Sequence, residues 1–547
     1  MKRFFAPLSD KAKRLSEAVK VKSSLVKPNT GPLSSYKIPL DEKEIYIKGC
    51  KYFSFGKENT NSNRTIMVLG VTGAGKSTLI NGMINYILGV QWNDSYRFKL
   101  VHEGQSTSQA HSQTSEVTVY KLYHQDGFLV PFSLTIVDTP GFGDTRGIER
   151  DGEIIEQLRS LFSSQNGVSE IDAVCFVAQA ALARLTSTQK YVFDSILSIF
   201  GKDVAENIRI MVTFADGQLP PVLEGINASD VPCPKTNGLP VHFKFNNSAL
   251  YADNKAASTS SIDEDDEDEK FDQMFWNMGT KSMKSFFFAL NQMKTKSLIL
   301  TKEVLRERQQ LENYIESLQK EFKLGLDKME EIRETRQQIK DHESEISRNE
   351  KFQFNVTVKK AIQTVVTGSR HFITNCQQCS FTCHDFCAYA DDKDKIHCVA
   401  MKKNGYCMVC PGKCFWNVHF NQKYKWDYRD VTETKTIKEL KEKYQKATGL
   451  KMTVQGVLDQ LQTDYKRMEE KVGRLTVESA KCLNRLKEIA LKPNPLSAPE
   501  YIDLLIEGEK QEGAPGWKTR VDALMKIRKK AELLAQVEKG EKPLKHI

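Results

Sequence analysis

The sequence predicts an α/β fold with a parallel-rich sheet in residues 61–290, followed by an α-helical, coiled-coil-like region that carries a cysteine-rich segment. Three observations predict this arrangement. Short apolar runs alternate with helix-length polar material as far as residue 290, apolar residues then recur at spacings of three and four, and eight of the twelve cysteines lie between Cys376 and Cys414. Because 547 residues exceed what one hydrophobic core usually organises, we expect several structural units.

Composition and charge narrow the class of protein. The formal net charge of +9 is small for this length and the signs are mixed, so nucleic acid is not an expected ligand. No apolar run is long enough to cross a bilayer, and the basic N-terminus lacks the apolar segment of a signal peptide. We therefore expect a cytoplasmic protein, with residues 1–60 as a basic N-terminal lead segment. Its first thirty residues are interpreted as a flexible tail, weak contact with an anionic membrane being the alternative.

Five short, mostly apolar runs predict the strands of a parallel sheet that is covered on both faces. They comprise residues 65–69, 134–137, 173–177, 208–212 and 241–245.

Residues 70–77 fit the pattern G-x-x-x-x-G-K-[ST] directly after the first predicted strand and directly before a predicted helix. Glycines let backbone N–H groups curl around a phosphate, and the helix N-terminus adds a positive dipole end. Lys76 would reach the β and γ phosphates, and the Ser77 hydroxyl would bind Mg²⁺. A glycine-rich turn without a ligand is the alternative. The predicted phosphate-binding residues are Gly70, Thr72, Gly73, Ala74, Gly75, Lys76, Ser77 and Thr78.

Asp138 and Gly141 follow the second predicted strand, at the sheet edge where the phosphate loop also lies. A carboxylate there suits the second magnesium contact, usually through water. The Gly141 N–H could meet the γ-phosphate and act as the pivot of a switch. Together with Lys76, these residues predict a P-loop nucleotide-binding domain.

Thr213 and Asp216 follow the fourth predicted strand and bear on the choice of base. A carboxylate at this position can accept both the ring N–H and the exocyclic amine of guanine, which predicts GTP and GDP as ligands. Phe214 stands where such motifs usually carry lysine, so ATP remains an alternative.

These motifs, with T-x-x-D at residues 213–216, residues 138–144, 183–189 and 245–248, resemble the AIG-type, immunity-associated (GIMAP-like) GTPases, relatives of the septins. The resemblance covers about residues 61–290. It implies that Asn246 and Asn247 lie beside the base. It also implies that Thr114 is the first-switch threonine for Mg²⁺ and the γ-phosphate, with Thr107 as the alternative.

No glutamine follows Asp138 where a Ras-like enzyme positions its attacking water, so we expect slow hydrolysis by the monomer. The resemblance implies a homodimer across the nucleotide face, in which a group supplied in trans could assist. Arg184 is the candidate, because a guanidinium can stabilise charge on the transferred phosphoryl group. The alternatives are that Arg184 is an ordinary surface arginine, and that the protein holds GTP with negligible turnover.

Two amphipathic helices of coiled-coil type are predicted in residues 291–370 and 426–492, with short helices in residues 493–547. The cysteine-rich segment, residues 371–425, separates them. This order favours an antiparallel pair with the segment at its turn and protein partners on the helices. Pairing between two chains is the alternative.

The clustered cysteines include two C-x-x-C pairs, a spacing that lets neighbouring sulfurs bind one tetrahedral zinc. Eight thiols would fill two closed structural sites, with His384, His397 and His419 as substitutes. Redox-active thiols and nucleic-acid contact are the alternatives. The predicted zinc ligands are Cys376, Cys379, Cys383, Cys387, Cys398, Cys407, Cys410 and Cys414.

Overall fold

The fold is taken from a computed structural model of the whole chain. It describes residues 14–26, 33–45, 47, 49–101, 116–143, 148–182, 187–254, 265–341, 344, 353–366, 372–402, 404–448, 453–492, 499–512 and 517–539. The chain forms two compact units. Unit 1 comprises Met1–Leu305, Ile489–Pro495 and Asp503–Leu524, and unit 2 comprises Arg306–Glu488, Leu496–Ile502 and Met525–Ile547.

Unit 1 contains the mixed α/β part of the chain. Its strands are β1 (Ser24–Leu25), β2 (Ser34–Lys37), β3 (Asp41–Lys43), β4 (Cys50–Phe55), β5 (Asn63–Gly70), β6 (Tyr96–Lys99), β7 (Val117–Leu122), β8 (Ser133–Asp138), β9 (Glu170–Ile171), β10 (Ala173–Gln179), β11 (Ile208–Thr213), β12 (Lys235–Thr236), β13 (Leu239–Pro240), β14 (His242–Lys244) and β15 (Lys296–Ser297). Its helices are α1 (Leu15–Lys22), α2 (Lys76–Ile87), α3 (Ile148–Ser163), α4 (Ser187–Leu197), α5 (Val222–Ala228) and α6 (Asp265–Gln292).

The main sheet has eight strands in the order β14-β11-β10-β5-β8-β7-β4-β3. The five strands from β14 to β8 are parallel, whereas β7 pairs antiparallel with β8 and β3 pairs antiparallel with β4. Residues 66–69 of β5 are completely buried, as expected of a central strand covered on both faces. All five predicted strands are therefore present within one or two residues of the predicted bounds.

Helix α2 covers the sheet directly after β5. Its residues Leu79, Ile80, Met83, Ile84 and Ile87 are completely buried, a spacing that places them on one helix face. They join the main core of unit 1 with residues of β5, β8 and β10. The apolar face of α2 thus anchors the helix whose first turn carries Lys76.

The carboxylate of Asp172, just before β10, ties three segments of unit 1 together. It accepts hydrogen bonds from Arg64 Nη1 at 2.6 Å, from the Thr65 backbone N–H at 2.7 Å and from Thr295 Oγ1 at 2.7 Å. Asp172 is 1% exposed. A buried carboxylate is tolerated here because charged and neutral donors surround it.

The interpretation of residues 1–60 as a lead segment, flexible over its first thirty residues, is wrong in part. Residues 15–22 form α1, and Arg14 forms an ion pair with Asp94 at 2.6 Å. Strand β4 belongs to the main sheet and pairs in parallel with β7. The interpretation followed the basic charge of the first thirty residues and overlooked the aromatic residues of β4, of which Phe53 stacks on Tyr120 of β7.

Unit 2 and the segments next to it contain long helices, a two-stranded ribbon and a small sheet. The helices are α7 (Ile299–Asp341), α8 (Ile437–Thr448), α9 (Val454–Ile489), α10 (Pro499–Glu512) and α11 (Trp517–Glu538). The strands are β16 (Gln353–Val365), β17 (Phe372–Cys376), β18 (Phe381–Cys387), β19 (His419–Asn421) and β20 (Tyr424–Thr436).

Helices α7 and α9 run antiparallel within unit 2. Ile339, near the end of α7, packs in one cluster with Leu461, near the start of α9. Further along, Glu321 of α7 forms an ion pair with Lys471 of α9 at 2.5 Å. The antiparallel pairing within one chain that the sequence favoured is therefore present. The cysteine-rich segment does not lie at the turn as predicted, because Lys320 Nζ, in the middle of α7, donates to the Thr382 carbonyl at 2.9 Å.

The prediction of one helix over residues 291–370 and a second over residues 426–492 is wrong in part. Strand β16 occupies residues 353–365 and pairs along its whole length with β20, which continues to Thr436. Both segments are rich in threonine and valine, which favour extended backbone. In the part of the chain that the structure describes, no helix is both long and apolar enough to span a bilayer.

Candidate functional site

The loop between β5 and α2 has the backbone conformation that a phosphate-binding loop needs. Gly73 and Gly75 adopt φ values of +80° and +84°, which favour glycine. Gly75 lies immediately before the first residue of α2. The loop therefore leads directly into the N-terminus of a helix, where backbone N–H groups point outward and the dipole attracts an anion.

Lys76 is a buried charged residue in the first turn of α2. Its side chain folds back over the loop, and Nζ donates hydrogen bonds to the carbonyl oxygens of Gly70 at 3.2 Å and Val71 at 3.0 Å. A buried ammonium held by carbonyl oxygens is poised beside any anion that enters the loop. Ser77 and Thr78 follow in the same turn and are partly exposed.

Asp138 ends β8 beside the phosphate loop. Its register partner in β5 is Val68, two residues before Gly70, and the side chain is completely buried. Burial raises the pKa of Tyr120 in the neighbouring β7, and the negative charge of Asp138 adds to that shift. The carboxylate thus lies at the sheet edge that leads into the loop, as the sequence predicted for a magnesium contact.

The segment after Asp138 packs tightly against the phosphate loop. The Thr72 backbone N–H donates to the Phe142 carbonyl at 3.0 Å, and the Phe142 N–H donates to the Gly70 carbonyl at 3.2 Å. A Cβ on Gly141 would lie 2.6 Å from Thr72 Cα, so only glycine fits there. Backbone hydrogen bonds therefore join the phosphate loop to the segment after Asp138, the two segments from which the sequence predicted the site.

Two further side chains hold the phosphate loop from neighbouring strands. Thr213 Oγ1, at the end of β11, donates to the Ala74 carbonyl at 2.8 Å. Gln179 Nε2, at the end of β10, donates to the Gly73 carbonyl at 3.0 Å. Sequence reasoning assigned Thr213 to the base and missed Gln179. The signal for Gln179 was its position at the carboxyl end of a predicted strand, beside the loop.

Phe214 lies next to the phosphate loop with an unusual backbone. Its φ is +53°, its side chain is 58% exposed, and a Cβ on Gly75 would be 3.7 Å from the Phe214 ring. A large residue at positive φ is a local strain of the kind found at functional sites. Asp216 is exposed two residues later, and its Oδ1 accepts the Gln218 N–H at 3.0 Å.

The residues predicted beside the base lie after β14. Asn246 Oδ1 accepts hydrogen bonds from the Ser248 backbone N–H at 3.3 Å and Oγ at 2.8 Å, so it caps the short helix over Asn247–Leu250. Asn247 Nδ2 is buried and makes no hydrogen bond within the described ranges. The same segment is close to Phe214, because the Ala215 N–H donates to the Phe245 carbonyl at 3.0 Å.

Helix α2 is also bonded to the segment that precedes residues 102–115. Asn81 Oδ1 accepts the backbone N–H groups of Leu100 at 2.7 Å and Val101 at 2.9 Å, and Asn85 Oδ1 accepts that of Phe98 at 2.9 Å. Both asparagines are buried.

Three residues that the sequence analysis proposed for catalysis or the first switch lie outside the residues that the structure describes. They are Thr107, Thr114 and Arg184.

The clustered cysteines of unit 2 come together in three groups rather than two. The ligand atoms within each group lie within 4.8 Å of one another, and His384 and His419 take part. Cys410 belongs to two groups, whereas His397 belongs to none in the part of the chain that the structure describes. The groups are Cys376, Cys379, Cys410 and Cys414, then Cys383, Cys407, Cys410 and His419, and finally His384, Cys387 and Cys398.

A parallel-rich sheet, a phosphate loop running into a helix and a buried aspartate on the neighbouring strand define a P-loop nucleotide-binding domain of the GTPase type. Residues 64–223 match the model of the AIG1 family. The resemblance to the AIG-type GTPases is thus confirmed for this segment. No curated protein sequence matches the chain.

The solved structures that resemble the chain include Toc33 from Arabidopsis thaliana. Toc33 in complex with Mg²⁺ and GMPPNP is 17% identical over 43% of this chain and 88% of that one, with a TM-score of 0.25. Toc33 in complex with GDP and Mg²⁺ is 18% identical over 43% of this chain and 87% of that one, with a TM-score of 0.26.

Proposed function

We propose that unit 1 binds GTP and GDP with Mg²⁺. The observation that carries the proposal is the closure of the phosphate loop around Lys76, with backbone bonds from the segment after Asp138 and a side-chain bond from Thr213. This arrangement presents backbone N–H groups, one ammonium and a helix N-terminus to an anion. Ser77 and Asp138 would hold the magnesium ion, which supplies charge neutralisation between the β and γ phosphates.

Selection of guanine rests on Asp216, which is exposed at the carboxyl end of β11. Asn246 and Asn247 would lie on the other side of the base. Phe214 presents an exposed ring beside Gly75, where it could pack on the base of a nucleotide whose phosphates occupy the loop. Tighter binding of ATP than of GTP would contradict this assignment.

The binding test is a calorimetric titration of the full-length protein with GTP, GDP and ATP in the presence of Mg²⁺. Lys76→Ala should abolish measurable binding, because it removes the ammonium from the phosphate loop. Lys57→Ala is the matched control, since Lys57 is an exposed lysine before β5. Equal affinity of both variants for GTP would refute the proposed site.

Hydrolysis is proposed to be slow in the monomer and faster in a homodimer formed across the nucleotide face. Phosphate release per protomer should then rise with protein concentration. Arg184→Ala should remove that rise, whereas Arg467→Ala, at an exposed position of α9, should leave it unchanged. Binding of GTP without phosphate release at any concentration would instead identify a protein that holds GTP as a ligand or scaffold.

The cysteine-rich segment is proposed to bind zinc as a structural metal, and the helices beside it to contact protein partners in the cytoplasm. The support is the assembly of thiols and imidazoles, all of them buried except the partly exposed Cys379 and His384, into groups of ligand dimensions. Metal analysis of the purified protein tests it. An absence of zinc, or disulfides among these cysteines, would favour a redox role.

A further inference from the structure

We propose that six cysteines and one histidine of unit 2 form a dinuclear zinc cluster in which the thiolate of Cys410 bridges the two ions. The inference rests on the proposal that this segment binds zinc. One ion would have three ligands of its own, Cys376, Cys379 and Cys414. The other ion would have Cys383, Cys407 and His419.

The dimensions of both groups fit zinc. A tetrahedral ion with Zn–S bonds of about 2.3 Å places its sulfur ligands roughly 3.8 Å apart. The ligand atoms of each group lie within 4.8 Å of one another, and Cys379 Sγ lies 3.5 Å from Cys414 Sγ. A Cβ on Gly412 would be 3.0 Å from both of these sulfurs, so glycine at this turn permits their approach.

Sharing of Cys410 follows from the number of ligands. Each group has three ligands that belong to it alone, which is one fewer than a structural zinc site requires. Among the residues described in this part of the chain, Cys410 alone belongs to both groups. If it bound one ion only, the other would keep an open position among buried ligands, because Cys383, Cys407 and His419 are all at most 2% exposed. A bridging thiolate completes both tetrahedra.

His419 has the tautomer that a zinc ligand needs. Its Nδ1 lies 3.0 Å from the Phe415 carbonyl oxygen, which can only accept, so Nδ1 carries the proton and Nε2 has the free electron pair. Nε2 is buried and makes no hydrogen bond to any described residue. A histidine that binds metal through one ring nitrogen usually donates a hydrogen bond from the other, as Nδ1 does here to the Phe415 carbonyl, and this bond fixes the orientation of the ring.

Backbone N–H groups donate to the sulfurs of the cluster. Cys407 Sγ accepts from Val409 at 3.3 Å and from Cys410 at 3.4 Å, and Cys410 Sγ accepts from the Cys414 N–H at 3.3 Å. Donors aimed at sulfur stabilise the thiolate form that binds metal. They also hold residues 407–414 in a turn that brings Cys410 between the two groups.

The test is ¹¹³Cd NMR of the full chain in which zinc has been exchanged for ¹¹³Cd. The wild-type protein should show two resonances that are scalar-coupled to each other through the bridging sulfur, one from four sulfur ligands and one from three sulfurs and a nitrogen. Because this measurement needs no variant, a folding defect cannot obscure it. Cys387→Ser, in the separate third group, is the control and should leave the coupling intact.

Variants then separate the shared ligand from the others. Cys410→Ser should lose both coupled resonances, whereas Cys414→Ser should lose one and leave the other uncoupled. Two uncoupled resonances in the wild-type protein would overturn the bridge while leaving zinc binding intact. Iron in the purified protein would also overturn it, since tetrahedral thiolates can hold iron–sulfur clusters. A complete lack of metal would refute the underlying zinc proposal instead.

Discussion

Substitution of Gly141 by alanine tests whether the segment after Asp138 and the phosphate loop form one structure. The added methyl carbon would lie 2.4 Å from Thr72 Oγ1, 2.6 Å from Thr72 Cα and 2.8 Å from Thr72 N. The Thr72 hydroxyl could rotate away, but the backbone atoms could not. Gly141→Ala must therefore push the two loops apart and weaken the hydrogen bonds between Thr72 and Phe142.

Overpacking of this kind costs about 1–3 kcal/mol. A cost of one or two kcal/mol corresponds to roughly a 5- to 30-fold change in an equilibrium constant. We expect Gly141→Ala to lower the free energy of unfolding by about 1–3 kcal/mol. We also expect weaker GTP binding, because the displaced loop no longer presents its N–H groups to the phosphates.

Urea denaturation and calorimetric GTP titration measure the two effects. Gly152→Ala is the matched control, because Gly152 is an exposed residue of α3 where an added Cβ meets nothing within 4 Å. It should raise the free energy of unfolding by about 0.5–1 kcal/mol, since alanine favours helix over glycine. The reasoning is refuted if Gly141→Ala unfolds at the wild-type urea concentration and binds GTP with wild-type affinity.

Three other substitutions probe contacts seen only in the structure. Asp172→Asn removes the charge that receives Arg64, and should lower the free energy of unfolding by about 1.5–3 kcal/mol in urea denaturation. Thr213→Val leaves the Ala74 carbonyl without its donor, and should cost about 1–3 kcal/mol and weaken GTP binding in the calorimeter. Burial alone would raise the pKa of Glu331, but neighbouring lysines hold it below the ordinary value of 4.5. Wild type should therefore be more stable than Glu331→Gln near pH 7, and this advantage should disappear as the pH falls through the lowered pKa.

Matched controls accompany two of these substitutions. Asp230→Asn alters an exposed aspartate, and Thr463→Val alters a threonine on the exposed surface of α9, so both should stay within about 0.5 kcal/mol of wild type. Loss of stability equal to that of the controls would contradict the assigned roles of Asp172 and Thr213. A pH-independent difference between wild type and Glu331→Gln would contradict the ion pairs of Glu331 with Lys328 and Lys435.

Local patterns predicted the nucleotide-binding part well because its elements follow from short-range physics. Strand β5, the phosphate loop and α2 are adjacent in sequence, and each carries its own signal of β-branched, glycine or periodic apolar residues. Strands β3, β4 and β7, at one end of the main sheet, were missed, since polar and charged residues interrupt their apolar residues and no run resembles a strand covered on both faces. The threonine-rich strands β16 and β20 were mistaken for helix because charged residues there also suit a helix surface.

Thr213 makes a contact that its sequence motif did not predict. Its motif suggested a contact with the base, yet its hydroxyl bonds the phosphate loop, 139 residues away in sequence. Gln179 has no motif at all, and its contact with Gly73 exists only because β10 and β5 are neighbours in the sheet. The position of Gln179 after a predicted strand marked it as a candidate, but neither hydrogen-bond partner could be predicted, since neighbouring strands of the sheet are far apart along the chain.

The sequence by itself determined that this chain carries a phosphate-loop motif, an aspartate at the end of a predicted strand and a cluster of eight cysteines, because each is a short pattern of residue type and spacing. The tertiary structure alone decided which side chains hold that loop, and how the cysteines group. Residues far apart in the chain meet only when strands pair and turns close, so that Gly141 lies against Thr72 and Cys410 stands between two sets of ligands.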